Sequence, residues 1–265
     1  TANRFARALD FDGYAAFRAE LVRGFEPLVA PVERLRGNLE RPTTVAEVFA
    51  TALDESRRNI DATRQTLDYA ACEAAVERIG KARSVYIGGF GASAWLAGLL
   101  QHGLDGSCSD VRMLSSVSGV THAARTLMHA GPQDVFIGLT FPRYLTDTIS
   151  LAQIARSQGC AVIALTDRPS SPLAPLADVA LFCQTETSYR PNCETSVLAL
   201  IEALTSAVAL RAPDPVQSAG RILQAVRPWL HGANGLLRAN GANAATPPDA
   251  AAPNGDGPKK KKAPR

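Results

Sequence analysis

The residues best suited to binding a ligand form a short glycine-rich segment, GGFGAS, at positions 88–93. The segment follows a run of β-branched residues and opens a helical pattern. Glycines there let the backbone approach a ligand closely, and the N–H groups and positive dipole at the start of a helix favour a phosphate. We therefore predict that Gly89, Gly91 and Ser93 contact a ligand. The segment does not match the dinucleotide-binding G-x-G-x-x-G motif, because Ala94 occupies the position of the third glycine. The alternative to ligand binding is that the segment forms only a tight turn between strand and helix.

A second candidate segment, TFPRY, lies at the end of the third predicted strand, at positions 140–144. Ligands of open α/β sheets bind at the carboxyl ends of the strands. The guanidinium of Arg143 is a permanent cation whose planar fork suits a phosphate or a carboxylate. We predict that Thr140, Arg143 and Tyr144 contact the ligand. The alternative is a surface arginine beside a packed tyrosine.

Polar residues after two other predicted strands complete the predicted ligand set. Ser115 and Ser116 follow the second strand, where a dinucleotide-binding fold would place an acidic residue for the ribose. Glu194 opens the helix after the last strand. The proline- and serine-rich stretch at positions 166–181 is interpreted as mainly architectural.

The pattern of strands and helices predicts where these segments meet. Short β-branched runs predict strands at 85–88, 111–114, 135–140, 162–166 and 179–183. Helical patterns lie between them, near 92–104, 120–128 and 145–158, and after the last strand at 194–210. Such alternation predicts the α/β class, with a doubly wound, flavodoxin-like, five-stranded parallel sheet covered by helices on both faces.

The remainder of the chain is predicted to be helical before the sheet and irregular after it. Thr44 is expected to cap a helix that runs past Ile60, with Glu47 as its capping-box partner. Further helices are predicted at 69–79 and 216–230. The glycine-, alanine- and proline-rich tail, which ends in PKKKKAPR, is expected to be disordered.

Composition limits the classes of function. The chain of 265 residues has a net charge of +3, but the tail after Leu230 carries six basic and two acidic residues, which leaves −1 for the rest. Any case for nucleic-acid binding must therefore come from a motif. The longest apolar stretch, 197–210, is interrupted by Glu202 and is too short to span a bilayer, and no secretory signal is evident. Since the sequence begins at Thr1 inside a helical pattern, we expect that its natural beginning is missing.

The cysteines and histidines give no sign of a metal or catalytic centre. The five cysteines include no C-x-x-C pair, which favours a reducing cytoplasm over a disulfide framework or a zinc site. The four histidines show neither metal-ligand spacing nor a Ser-His-Asp arrangement. We predict no catalytic residue, no metal and no cofactor.

The order of three segments resembles a known domain. GGFGAS, the loop from Thr140 and the stretch ALTDRPSSPLAPLADVAL together resemble the SIS (sugar isomerase) domain of the RpiR/MurR family of bacterial regulators, over residues 84–210. The resemblance implies binding of a sugar phosphate by the loops after the first and third strands. Where the family has S-x-S-G-x-T, this chain has TFPRYLT, so that Pro142 and Arg143 replace the usual serine and glycine. An anion held by Arg143, a phosphate or a carboxylate, is the expectation that follows.

The N-terminal segment resembles the end of the helix-turn-helix of the same family, whose recognition helix reads T-V-x-R-F-x-R-x-L-G-F before G-[FY]-x-x-F. Nine positions match: Thr1, Arg4, Phe5, Arg7, Leu9, Phe11, Gly13, Tyr14 and Phe17. Asp10 departs from the usual glycine. The resemblance implies that Thr1, Asn3, Arg4 and Arg7 contact DNA, while Phe5, Leu9 and Phe11 pack a small core. The alternative is a mere amphipathic helix.

Together these features predict a transcriptional regulator rather than an enzyme. Residues 1–41 would be the end of the DNA-binding domain, 42–80 a helical linker, 81–230 the SIS sensing domain and 231–265 a basic tail. The expected partners are operator DNA, a small anionic effector and further copies of the chain, in a homodimer or homotetramer. Two alternatives stay open: a sugar-phosphate isomerase with Glu194 as general base, and a lysine tail that contacts polyanions nonspecifically.

Overall fold

The computed structural model describes residues 2–9, 11–18, 36–37 and 43–230. Thr1, Asp10 and the predicted tail at 231–265 lie outside the described residues. Two compact units are distinguished, Thr1–Ala219 and Gly220–Arg265. Of the second, the described part comprises the end of a helix and the 3-10 turn Arg227–Trp229.

The central element of the first unit is the predicted five-stranded, all-parallel sheet. Its strands are β1 (Val85–Gly89), β2 (Val111–Met113), β3 (Val135–Leu139), β4 (Ala161–Thr166) and β5 (Val179–Phe182), in the spatial order β2-β1-β3-β4-β5. Each residue of β1 and β3 is buried, as expected for strands that are covered on both faces. Since the order reverses between β1 and β3, the carboxyl ends of these two strands border the crevice where open α/β sheets bind ligands.

Helices cover both faces of the sheet. The helices with described bounds are, in chain order, α1 (Ala2–Ala8), α2 (Val45–Thr66), α3 (Tyr69–Lys81), α4 (Ser93–Leu104), α5 (Gly119–Leu127), α6 (Thr146–Ser157), α7 (Thr195–Arg211) and α8 (Pro215–Val226). One core packs the apolar sides of α3, α4 and α7 against the sheet. A second core packs α5 and α6 against the opposite face.

The start of α2 follows the sequence prediction in detail. The side-chain oxygen of Thr44 accepts from the N–H of Glu47 at 3.2 Å, and the Glu47 carboxylate accepts from the N–H of Thr44 at 2.7 Å. This reciprocal arrangement is the predicted capping box. It fixes the first turn of the helix that connects the N-terminal segment to the sheet domain.

A helix that crosses a membrane must be both long and mostly apolar. Of the described residues, no single helix is both long and apolar enough to cross a membrane; only the bent pair Thr195–Arg211 with Pro215–Trp229 meets these criteria together.

Candidate functional site

The glycine-rich loop joins the end of β1 to α4 by a turn that excludes larger residues. A Cβ on Gly89 would lie 2.7 Å from the carbonyl oxygen of Ser93, closer than real contacts allow. Gly91 has a φ of 59°, in the left-handed region that favours glycine. The loop therefore needs glycine at both positions for the turn itself, whether or not a ligand binds.

The first N–H groups of α4 are not free to bind a ligand, contrary to the sequence prediction. The amides of Ser93, Ala94 and Trp95 donate to the carbonyls of the residues three positions earlier, at 3.1–3.2 Å. The Ser93 hydroxyl has no hydrogen-bond partner among the residues that the structure describes. What this loop offers a ligand is thus the serine hydroxyl and the positive end of the α4 dipole, rather than a row of open amides.

The loop after β3 presents an unpaired cation in an unusual backbone conformation. Arg143 has a φ of 71° and is the one non-glycine residue with positive φ in the described part of the chain. Its side chain is exposed, and within the described ranges it has no ion pair or hydrogen bond. The left-handed conformation explains why a glycine is usual at this position in the family that the sequence resembles.

The neighbours of Arg143 are engaged in the fold. The phenol of Tyr144 donates to the carboxylate of Asp167 at 2.8 Å, and Arg168 pairs with the same carboxylate. Burial, together with the hydrogen bond and charge of Asp167, raises the pKa of Tyr144. The phenol therefore stays protonated, and its hydrogen is already engaged in the hydrogen bond to Asp167. Thr140 is buried, and its N–H donates to the carbonyl of Leu165 at 3.2 Å. The Thr140 hydroxyl has no hydrogen-bond partner among the described residues.

A small cavity brings two of the predicted ligand residues together. Ser93 and Glu194 lie in its wall, with Phe141 from the loop after β3. Glu194 also forms an ion pair with Arg190, with 3.5 Å between nitrogen and oxygen. The other residues of the wall were missed by sequence reasoning: Ala92, Leu96, Thr185, Asn192, Cys193 and Val197. These residues follow the carboxyl ends of predicted strands or lie in the first turns of α4 and α7. That position in the predicted topology is the sequence signal that could have identified them.

The two serines after β2 have structural partners. The Ser115 hydroxyl donates to the carbonyl of Gly89 and so ties the ends of β1 and β2 together. The Ser116 hydroxyl accepts from the N–H of Ser118 at 3.3 Å in the turn before α5. Neither serine lies in the wall of the small cavity.

A larger cleft, about 370 Å³ in volume, was not predicted. It lies between α2 and the segment 184–188, and it is lined by polar side chains from both: Glu55, Arg58, Asn59, Gln184, Glu186, Thr187 and Ser188, with Ala62. In the sequence, the contribution of α2 is visible as polar residues spaced four apart, Glu55, Asn59 and Thr63.

Three of the four predicted DNA-contacting residues, Asn3, Arg4 and Arg7, lie on α1, and Thr1 lies outside the described residues. Arg4 and Arg7 are exposed. The carboxamide oxygen of Asn3 instead accepts from the backbone N–H of Tyr14 at 2.9 Å, which engages that atom in the fold. The Phe17 ring lies 5.5 Å from the rings of both Phe5 and Phe11, although Phe5 keeps 58% of its surface exposed.

The sequence profile of the SIS domain family matches residues 78–211, and the chain is also similar to several known proteins. The HTH-type transcriptional regulator HexR of Pseudomonas aeruginosa is 24% identical over 225 residues, which cover 80% of this chain and 73% of HexR. The sugar isomerase domain of an RpiR transcription factor from Sphaerobacter thermophilus is 29% identical, with a TM-score of 0.62 over 66% of this chain and 97% of that domain. NanR of Vibrio vulnificus, in complex with ManNAc-6P, has a TM-score of 0.64 at 18% identity, over 87% of this chain and 81% of NanR.

Proposed function

Because the chain belongs to the SIS domain family and is similar to RpiR-type regulators, we propose that it is a DNA-binding transcriptional regulator whose α/β domain senses a small anionic metabolite, a phosphorylated sugar or a related carbohydrate derivative. The proposal has two parts, metabolite sensing and DNA binding. The main support for the sensing half is the guanidinium of Arg143, which is exposed and unpaired within the described residues and lies beside the carboxyl end of β3. At the neighbouring end of β1, Ser93 adds an unpartnered hydroxyl. An anion between these two loops would also meet the positive end of the α4 dipole.

A thermal-shift series tests the class of effector. A ligand that binds only the native state, at ten times its Kd, stabilises by about 1.4 kcal/mol, which raises Tm by roughly 3–5 °C for a domain of this size. We expect such a shift from a phosphorylated sugar and not from the same sugar without its phosphate. ManNAc-6P belongs in the series, since it is bound to NanR. If no phosphorylated sugar and no small carboxylate raises Tm, the sensing half is wrong.

The DNA-binding half depends on the exposed face of α1. In a protein that carries a complete helix-turn-helix, we expect selection of a specific duplex from random competitor DNA, and Arg4→Ala should weaken binding several-fold. If Arg4 contacts a phosphate, the slope of log K against log[salt] should also fall by about one. Fluorescence anisotropy across a salt series measures both, and Arg18→Ala, outside the predicted recognition helix, is the control. No preference over random DNA would contradict the proposal.

An isomerase remains the second candidate, because Glu194 lies in the same cavity wall as Ser93. A general base must lie near the sugar carbons, and the carboxylate of Glu194 is instead 3.5 Å from the guanidinium of Arg190. Aldose–ketose interconversion that is lost in Glu194→Gln would favour the enzyme.

We further propose a homodimer or homotetramer in the cytoplasm. An apolar stripe on α2, formed by Val45, Phe49 and Leu53, is exposed in the single chain. Most of the large apolar side chains of α7, by contrast, are buried in the domain itself. Light scattering at micromolar concentration distinguishes these assemblies from a monomer.

A further inference from the structure

Helix α2 packs against the sheet domain with polar residues. Its buried residues are Glu55, Asn59 and Thr63, each no more than 9% exposed and spaced four apart, so that they form one stripe. Apolar side chains normally form the buried stripe of a surface helix. Polar groups in that place destabilise the fold unless each finds a hydrogen-bond partner.

The partners of this stripe are alternate residues of the segment 184–188. The N–H of Gln184 donates to the Thr63 hydroxyl at 2.9 Å, Asn59 Nδ2 donates to the carbonyl of Glu186 at 2.7 Å, and the N–H and hydroxyl of Ser188 donate to the Glu55 carboxylate. Four residues of helix advance about 6 Å, and two residues of extended chain advance about 6.6 Å. Successive turns of α2 can therefore hold alternate residues of the segment in register, and we name these contacts the α2 ladder.

The charge of Glu55 supports the ladder. Burial acts to raise the pKa of Glu55, but the hydrogen bonds from Ser188 and Thr187 and the nearby charge of Arg58 outweigh burial and lower it. The carboxylate is therefore ionised at neutral pH and accepts both bonds from Ser188. The 370 Å³ cleft borders the ladder, so the segment has open space on that side.

The same segment and the residues after it form one wall of the small cavity. Thr185 lies between two ladder residues and lines the cavity with Asn192, Cys193 and Glu194. The Cys193 sulfur is also 3.5 Å from the hydroxyl of Ser56 on α2, which accepts from Thr195 at 3.3 Å. One stretch of chain thus contacts α2 on one side and the candidate ligand site on the other.

We propose that Glu55, Asn59 and Thr63 are positioning residues that hold the wall of the ligand site, so that occupancy of the site and the position of α2 are coupled. The proposal rests on the proposed function, since α2 connects the DNA-binding segment to the sensing domain. A ligand that favours one arrangement of the wall would favour the matching arrangement of α2. Because such coupling is reciprocal, a change in the position of α2 would also change the affinity for the ligand.

Cys193 provides a reporter that needs no ligand. It is 2% exposed, so alkylation requires the wall to open. In the closed wall, burial acts to raise the pKa of Cys193, but hydrogen bonds with Ser56 and Thr195 outweigh burial and lower it. Opening of the wall exposes the sulfur to the alkylating reagent. Burial raises the pKa of Cys183 to about 12, so this cysteine serves as an unreactive internal control.

The experiment measures iodoacetamide labelling of Cys193 by peptide mass spectrometry, with hydrogen exchange of residues 184–194, in the full chain. Asn59→Leu removes a donor and Thr63→Val removes an acceptor, each with little change of volume and without a new charge. Either should accelerate labelling about tenfold, the effect of losing one buried hydrogen bond. Thr63→Ser should restore the wild-type rate, and Arg57→Ala on the exposed face of α2 should not change it. Unchanged labelling in both ladder variants, or failure of Thr63→Ser to rescue, would overturn the positioning role.

Coupling is tested from the other side by Ser93→Phe, which fills the small cavity without a ligand. We expect faster hydrogen exchange in residues 55–66 of α2 and unchanged exchange in β3 and β4. Exchange in α2 equal to wild type, in a variant that melts cooperatively, would refute the coupling. If no phosphorylated sugar and no small carboxylate raises Tm, the sensing part of the proposed function fails, whereas these ligand-free measurements still test the role of the α2 ladder.

Discussion

Gly89→Ala is expected to lower the free energy of unfolding by about 2–3 kcal/mol and Tm by roughly 5–10 °C. The new Cβ would meet the carbonyl oxygen of Ser93 at 2.7 Å and its carbonyl carbon at 3.2 Å. These are backbone atoms in the first turn of α4, and they cannot move aside as a flexible side chain would. Retreat of the helix would also disturb the buried side chains of Leu96 and Leu100.

The matched control for that change is Gly80→Ala. Gly80 lies near the end of α3, and no atom lies within 4 Å of the Cβ it would gain. Alanine there should be neutral or should stabilise by up to about 1 kcal/mol, because glycine is a poor helix former. Urea unfolding of both variants beside the wild type makes the comparison. Equal stability of Gly89→Ala and wild type would show that the turn can relax, and that close approach is not what requires glycine there.

The regular part of the fold could be predicted because its signals are local. Strands β1 and β3 are buried on both faces and are therefore continuous apolar runs in the sequence. The capping box at Thr44 is a pattern of four residues that needs no tertiary contact. The match of the SIS domain profile and the similarity to RpiR-type regulators confirm the resemblance predicted from the loops of this sheet.

The site was predicted less completely because its residues meet only in the folded chain. Ser93 and Glu194 were predicted and share a cavity wall, whereas Asn192 and Cys193 lie in an irregular segment without periodicity. The polar stripe of α2 resembles a solvent-exposed helix face in the sequence. Its partners are 121 to 133 positions further along the chain, so only tertiary structure shows that the stripe is buried.

Arg143→Ala is expected to weaken effector binding about tenfold or more while the fold stays intact. A charge-assisted pair between the guanidinium and an anion contributes about 1.5–3 kcal/mol, and every 1.4 kcal/mol corresponds to about a factor of ten in Kd. Because the side chain is exposed and without a partner in the described chain, its removal breaks no contact of the fold. Arg143→Lys should restore binding only in part, since a point charge cannot reproduce the planar fork. Calorimetric titration with the sugar phosphate that gives the largest thermal shift measures the three affinities.

Arg143→Gly separates the role of the side chain from that of the backbone. Arginine and alanine both carry a Cβ, so Arg143→Ala keeps the cost of about 1 kcal/mol of the left-handed conformation at a φ of 71°. Glycine removes that cost but loses more backbone entropy on folding, so the variant should be as stable as wild type or more stable by up to about 1 kcal/mol. Binding should nevertheless fall as far as in Arg143→Ala. Wild-type affinity in both variants would show that the loop after β3 is structural and that the anion binds elsewhere. Weak binding in both, with stability kept in the glycine variant, would mean that an arginine at a strained position is retained for its charge.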